Sequence, residues 1–234
     1  MSKVGLRLHA DEEHWIPLSD LMTGLMFLFL LIALAFMVQV ELQEQRAKKV
    51  AIIYEQTRND LYDALYREFH SDLRRWHAEL YRDSLSVRFK EPDVLFQTGS
   101  DQLQPKFSAI LNSFFPRYVR ILRSPKYRDA VTEVRIEGYT STIWHAGATI
   151  QDAYIGNMEL SQGRTRSVLE YVLAMPAMQP YWSWLRERVT ANGLSSSHLI
   201  MRNRLEDQGA SQRVEFRVIT NADAQIKKVL ELQK

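Results

Sequence analysis

Asp20 stands directly before residues 21–40, LMTGLMFLFLLIALAFMVQV, a run without a charged side chain. Such a run makes about 30 Å of helix at about 1.5 Å per residue, enough to cross a bilayer once. An ionised Asp at the middle of a membrane helix costs about 2.5–3.5 kcal/mol on insertion scales, and less near an end. A carboxylate at this place therefore faces protein or a water path. When it is alternately hydrated and enclosed its proton affinity changes, because desolvation favours the neutral acid, so it can load a proton on one side and release it on the other. Thr23, Gly24 and Phe27 share its helical face. Thr23 brings a hydroxyl to the acid or to a water path, and Gly24 lets a neighbouring helix approach. The competing reading makes Ser19 and Asp20 a helix cap. Pro17 opposes it, since Pro prefers the first helical turn and starts the helix before Asp20.

The rest of the composition removes other chemistry. There is no Cys, which excludes disulfides and thiolate metal sites, and His70 and His77 are seven residues apart, a spacing that does not close on a metal from one helix. No metal site and no cofactor are expected. The 30 basic residues are interleaved with 28 acidic ones at a net charge of +2, so nucleic acid is not an expected partner. The sequence lacks a Gly-rich phosphate loop, a nucleophile elbow and paired catalytic carboxylates, and an enzyme is not expected. Ala33-Leu34-Ala35 is the kind of site a signal peptidase accepts. The apolar run is longer than a signal core, however, and Asp11, Glu12 and Glu13 precede it instead of a clean basic patch, which favours an uncleaved anchor.

The elements that must position these groups follow from periodicity. Residues 25–91 contain neither Gly nor Pro, unlike a flexible linker. Val50, Tyr54, Thr57, Leu61, Leu65, Phe69, Leu73, Trp76 and Leu80 recur at three- and four-residue steps and predict one apolar helical face. Glu44 with Lys48 and Asp63 with Arg67 add favourable i, i+4 pairs. The helix is thus expected to leave the membrane as a spacer over residues 41–83, reaching roughly 60 Å. Its stripe is expected to pack against a parallel second copy, in preference to the C-terminal domain.

Beyond residue 84 the pattern changes. Residues 85–89 and 94–96 read as strand pieces, 105–122 as a helix, 131–137 as a strand with period two, and 158–173 as a second helix. A turn-rich insert over 176–197 holds Trp182 and Trp184 and has no assigned role, a packed local lid being favoured over a partner site, and strands follow at 199–201 and 214–219. The fold class is a single transmembrane helix continuing into a long amphipathic helix, then an α+β domain with helices packed on one mixed sheet. The expected divisions are an arm at 1–15, a span at 16–40, the spacer at 41–83, the domain at 84–221 and a tail at 222–234.

Four ordered motifs carry a resemblance. Val94-Leu95-Phe96 with Gly99-Ser100 and a Pro-led helix, Ile136-Glu137-Gly138-Tyr139-Thr140, Asn157-x-x-Leu160-Ser161-x-x-Arg164, and Arg213-Val214-Glu215-Phe216 stand in the order found in OmpA-like peptidoglycan-binding domains. The region 85–220 resembles such a domain. Ser19-Asp20-Leu21-Met22-Thr23, opening a single span, resembles the membrane helix of MotB-type stator subunits.

The resemblance implies a subunit that pairs as a homodimer inside a ring of MotA-like membrane partners, passes ions at Asp20 with Thr23 beside it, and holds the assembly to peptidoglycan. It implies an inner-membrane protein with a cytoplasmic N-terminus and a periplasmic domain, against the slight excess of basic residues after the span. In the wall site the family uses an Asp after the central strand and an Arg on the next helix to grip the zwitterionic centre of diaminopimelate. Arg164 matches that Arg. Ser141 stands where the Asp belongs, so another acid such as Asp152 substitutes or binding is altered. Thr140, Ser141, Asn157, Leu160 and Arg213 carry over as wall-site positions, Arg213 being equally readable as a strand residue paired to a carboxylate. Within this class the uninterrupted helix and the I-P-L-S-D-L-M-T stretch are more similar to the Zorya anti-phage systems than to flagellar stators. A passive OmpA-like tether is the alternative from another class.

Overall fold

The chain divides into two units, Met1–Val50 and Ala51–Lys234, and the computed structural model describes residues 15–90 and 92–221. Most of the expected arm and the tail at 222–234 lie outside the described residues. Helix α1 (Trp15–Leu73) starts two residues before Pro17, as the preference of Pro for a first turn requires. In the first unit, Ser19–Gln45 is long and apolar enough to cross a membrane, with a mean hydropathy of 2.7 and no part of the tested window buried against the chain.

In the second unit the last turns of α1 belong to a folded core. Leu61, Leu65 and Phe69 are buried together with Trp76, and Leu73 and Leu80 pack against them. Their burial corrects the expected spacer over 41–83: from Leu61 onward the apolar stripe is covered by its own domain, not by a second copy. Val50 and Tyr54, earlier in the stripe, have side chains outside the described residues. The helix stops at Leu73 and the chain turns into β1 (Ala78–Tyr81), where helix was expected.

The remaining elements are β2 (Ser86–Phe89), the short α2 (Pro92–Leu95), α3 (Pro105–Leu122), β3 (Val131–Tyr139), α4 (Ile150–Ala174), α5 (Trp182–Arg188), β4 (Val189–Gly193), β5 (Met201–Arg202), β6 (Leu205–Glu206), the short α6 (Gln208–Ser211) and β7 (Arg213–Thr220). Five strands form one sheet in the order β1-β2-β7-β3-β4, antiparallel except for β3 with β4. The expected α+β architecture on one mixed sheet is what forms. Three local readings change. Residues 94–96 are not a strand, since Pro92 opens a helical turn and Phe96 makes only an isolated bridge to Leu103. The strand expected at 199–201 is instead a two-residue arm of the separate β5-β6 hairpin. The insert at 176–197 is no lid: Met178 and Leu185 are buried in the core, and β4 completes a parallel crossover from β3 through α4.

Alternation explains the layering. Val134, Ile136, Val214, Phe216, Val87 and Phe89 point to one face, where α3 lays Phe107, Leu111, Phe114, Phe115 and Tyr118 against them. Phe114 is the hub, with ring centroids 5.1 Å from Phe69, 5.2 Å from Phe89, 4.9 Å from Tyr118 and 5.1 Å from Phe216. Each such pair adds about 0.5–1.5 kcal/mol beyond area burial. The other face carries Arg88, Glu133, Arg135, Glu137, Glu215 and Arg217 in ion pairs and hydrogen bonds.

Two glycines set how closely α4 lies on the sheet. Gly138 of β3 and Gly193 of β4 are register partners. A Cβ on Gly138 would stand 2.6 Å from Thr165 Cγ2, and one on Gly193 would collide with the Gln162 backbone nitrogen. Gly193→Ala is therefore expected to destabilise the domain by about 1–3 kcal/mol, read as a lowered urea midpoint with an unchanged slope. An unaltered midpoint would show that α4 is free to lift away.

Candidate functional site

Asp20 is inside α1, not at its cap: the helix has already run from Trp15 when it reaches this exposed carboxylate. The hydroxyl of Thr23 donates to the Ser19 carbonyl oxygen at 2.7 Å. Its proton is thus committed to its own helix, leaving the oxygen lone pairs for a neighbour. A Cβ on Gly24 would meet nothing within 4 Å.

In the second unit the sequence-predicted wall residues converge where β3 ends beside α4. Asn157, Leu160 and Arg164 follow helical spacing on α4, Thr140 and Ser141 continue from β3, and Arg213 lies opposite Tyr139 in the ladder. The helix begins eight residues earlier than periodicity indicated because Thr149 and Asp152 form a reciprocal capping box. Thr149 holds the Asp152 carboxyl below its ordinary value through side-chain and backbone hydrogen bonds. Asp152 thus caps the start of α4 through Oδ2.

Each residue has a definite structural commitment. Asn157 Nδ2 donates to Ile143 O at 3.0 Å and fixes the loop after β3. The buried Ser141 Oγ accepts from Gln212 Nε2 at 3.3 Å. Thr140 is buried, its N–H donating to Ser195 O at 2.9 Å, while its Oγ1 is buried without a hydrogen-bond partner. Arg164 is buried, with Nε donating to Ser100 O at 3.0 Å and its guanidinium 5.0 Å from the Phe96 ring centroid.

Arg213 behaves as the paired strand residue. Its Nε donates to Glu215 Oε1 at 2.7 Å, its Nη1 to His198 O and Ser211 O, and its guanidinium lies 3.7 Å from the Tyr139 ring centroid. Glu215 also accepts from Arg88 Nε at 2.9 Å and Ser86 Oγ at 3.0 Å. Burial pushes the Glu215 carboxyl up, but the Arg213 hydrogen bond and the charges of Arg88 and Arg213 outweigh it and hold the group below its ordinary value. Burial likewise pushes the Tyr139 phenol up, reinforced by Glu137, whose Oε2 it meets at 2.8 Å.

Sequence reasoning missed Ser195. It is fully buried with φ +51°, its N–H donates to Ser161 Oγ at 3.0 Å, its Oγ donates to Tyr154 O at 2.8 Å, and its carbonyl receives Thr140 N–H. One residue thus ties β3, α4 and the chain after β4. The only sequence signal was a Ser run after Gly193, which reads as an ordinary turn.

The space between Arg164 and Arg213 is about 10 Å³, bounded by Leu95, Phe96, Gly138, Tyr139 and Val214, room for one water at most. Next to it opens a groove of about 320 Å³ lined by Gly99, Ser100, Asp101, Trp144, Gly156, Glu159, Leu160 and Gly163. A roomier cavity of about 860 Å³ lies elsewhere, between the end of α1, β1 and α6, and holds none of the predicted residues. Among the described residues no group of three or more His, Asp or Glu is arranged to hold a metal.

The sequence matches no protein-family model. The structure is similar to the crystal structure of a MotB-like protein from Desulfovibrio vulgaris, with a TM-score of 0.52 and 23% identity over 72% of this chain and 94% of that one. That likeness establishes the fold. The chain is also 46% identical over 222 residues to the Zorya protein ZorB of Escherichia coli strain Crooks, covering 94% of each. An alignment of that extent runs through both the apolar helix and the sheet domain, and the chain belongs to the ZorB family of Zorya proteins.

Proposed function

We propose that this chain is the wall-attached, membrane-spanning subunit of a proton-driven Zorya motor acting in anti-phage defence, with Asp20 carrying the proton. The observation that carries this is the position of Asp20: a carboxylate within α1 at the entrance of an apolar span, in a chain related to ZorB along nearly its whole length. Two copies pair through their spans inside a ring of MotA-like subunits. Asp20 is ionised while hydrated, takes up a proton as enclosure favours the neutral acid, and releases it to the other side when it is hydrated again, so its charge state alternates as the ring moves. Each charge crossing the membrane field is worth about 2.3 kcal/mol per 100 mV. The domain beyond residue 51 holds the assembly to peptidoglycan from the periplasmic side, with the N-terminus cytoplasmic.

Co-purification from membranes tests the assembly. The full-length chain is expected to bring down a multi-pass MotA-like partner and to sediment with isolated peptidoglycan. A phosphatase fused to its C-terminus is expected to be active, and one fused to its N-terminus inactive. A chain that sediments with the wall, binds no membrane partner and leaves phage plating unaltered would be a passive tether.

A further inference from the structure

Two unfavourable features meet at the base of the loop that follows β3. Ser195 holds a left-handed φ of +51°, a conformation that residues with a Cβ avoid. Thr140, whose N–H donates to the Ser195 carbonyl oxygen at 2.9 Å, has a buried hydroxyl without a hydrogen-bond partner. Such costs persist where the surroundings enforce one geometry, and they gather at binding sites. We propose that Ser195 is a positioning residue of the wall site, holding the loop after β3 at a fixed distance from Arg164. The proposal rests on the wall-binding reading and adds to it a fully buried residue that acts through its neighbours.

The connection from strand to helix runs through this one residue. Past Gly193 the pairing of β3 with the chain after β4 continues, Leu194 N–H donating to Gly138 O and Thr140 N–H to Ser195 O, both at 2.9 Å. The left-handed φ then turns the chain away, and Ser197 N–H closes the turn on Leu194 O at 3.1 Å. On the other side Ser195 N–H donates to Ser161 Oγ at 3.0 Å, while Ser161 keeps its own proton on Met158 O at 3.0 Å. Ser161 precedes Arg164 by three residues, so the two share one face of α4. The bonded series Thr140, Ser195, Ser161 thus sets where the end of β3 stands relative to the Arg164 guanidinium, which Ser100 O holds at 3.0 Å. Farther along the loop Asn157 holds Ile143 O, so α4 fixes the loop at two places.

The side chain explains why a Ser, and not a Gly, serves this position. Glycine adopts a positive φ without steric cost, but it leaves that conformation as readily. Ser195 Oγ donates to Tyr154 O at 2.8 Å, a second tie to α4. Tyr154 and Ser161 are seven residues apart, about two turns along one face of the helix. Backbone and hydroxyl therefore hold α4 at two points, and residue 195 cannot rotate without breaking one of them. The hydroxyl contributes rigidity more than stability, because the bond it makes is offset by the backbone strain it keeps in place.

Sedimentation of the full-length protein in detergent with isolated peptidoglycan sacculi tests this, read beside urea unfolding of the same samples. Ser195→Gly removes the hydroxyl and relieves the φ together, so its urea midpoint is expected to stay within about 0.3 M of the unaltered protein. Its binding to sacculi is expected to weaken about five- to tenfold, because the loop must then be ordered at the moment of binding. Hydrogen exchange at Thr140 N–H is expected to quicken about tenfold in the same variant, with the amides between β3 and β7 unaltered. Ser195→Ala loses the hydroxyl and keeps the disfavoured φ, so its binding is expected to fall at least as far and its midpoint to fall too. Binding by Ser195→Gly within about twofold of the unaltered protein overturns the positioning role although the wall reading stands. If Ser195→Gly lowers the midpoint and binding falls only in proportion to the unfolded fraction, Ser195 is a stability residue and the proposal fails. If the unaltered protein does not bind sacculi, the wall reading itself falls and the assignment of Ser195 falls with it.

Discussion

Asp20→Asn is expected to reduce phage protection to the level of cells lacking the system, while the chain stays in the membrane and keeps its partner. Asn has nearly the same volume and the same helical position but can neither carry charge nor exchange a proton at neutral pH. The loss is therefore in transport, not in assembly, and both are measured: plating efficiency on one side, yield of the co-purified complex on the other. Asp20→Glu keeps the acid but moves it by one methylene, and an intermediate level is expected. Thr23→Ala is expected to cost less than Asp20→Asn, because the Thr23 proton is already donated to Ser19 O at 2.7 Å within the same helix. Protection by Asp20→Asn within threefold of the unaltered protein would remove the ion-carrier role and leave the tether.

Phe69→Ala is expected to destabilise the C-terminal domain by about 3–5 kcal/mol, the usual size of a deleted buried aromatic. Phe69 has no exposed surface, its ring lies 5.1 Å from Phe114 and 5.9 Å from Trp76, and Arg117 covers it at 4.9 Å. Arg117 is itself anchored to Glu68 and Asp72 at 2.7 Å each. The cavity would open beneath a surface ion-pair network, with little freedom to collapse. For a domain of this size the melting midpoint should drop on the order of 10 °C. Tyr66, half exposed on the same helix, serves as the control, and its replacement by Ala should change stability by about 0.5 kcal/mol or less. The midpoint for Phe69→Ala should be independent of protein concentration. A midpoint that rises with concentration would instead mean that the stripe is completed by a second copy.

That contrast marks where sequence legibility ended. Periodicity at Leu61, Leu65, Phe69 and Trp76 showed that the face is buried, but a 3.6-residue repeat is the same whether the cover is another chain or the domain that follows. The strands at β2, β3 and β7 were readable because one face of each packs on α3 and must alternate. Strand β4 was not, since its VTANG sequence is an edge strand with little apolar contrast, held by pairing to β3 and by Thr190 bonding Glu133. The motif residues around Arg164 were legible as a set, and the structure brings them together. The pattern left Arg213 open between a wall-site role and a strand residue paired to a carboxylate, and the structure pairs it with Glu215; it did not show that Asp152 caps α4 with Thr149 or that Ser195 joins three elements through its backbone and hydroxyl. The Ser195 contacts reach 34 and 41 residues along the chain, whereas the other two are local and depend on which face each side chain takes.

The burial of the end of α1 also decides where the molecule can be divided. Composition suggests a cut near residue 84, where helix-like periodicity gives way to strands. A fragment beginning there would leave behind Leu61, Leu65, Phe69 and Trp76, all core side chains, along with the edge strand β1. It would expose the rings of Phe114 and Phe89 to water and leave β2 as an unprotected sheet margin, prone to pair with other molecules. A soluble piece that keeps the sheet domain folded must retain the last turns of α1. Any exchange of apolar N-terminal segments between relatives must therefore join them before Leu61, within a helix and not at the edge of the sheet domain.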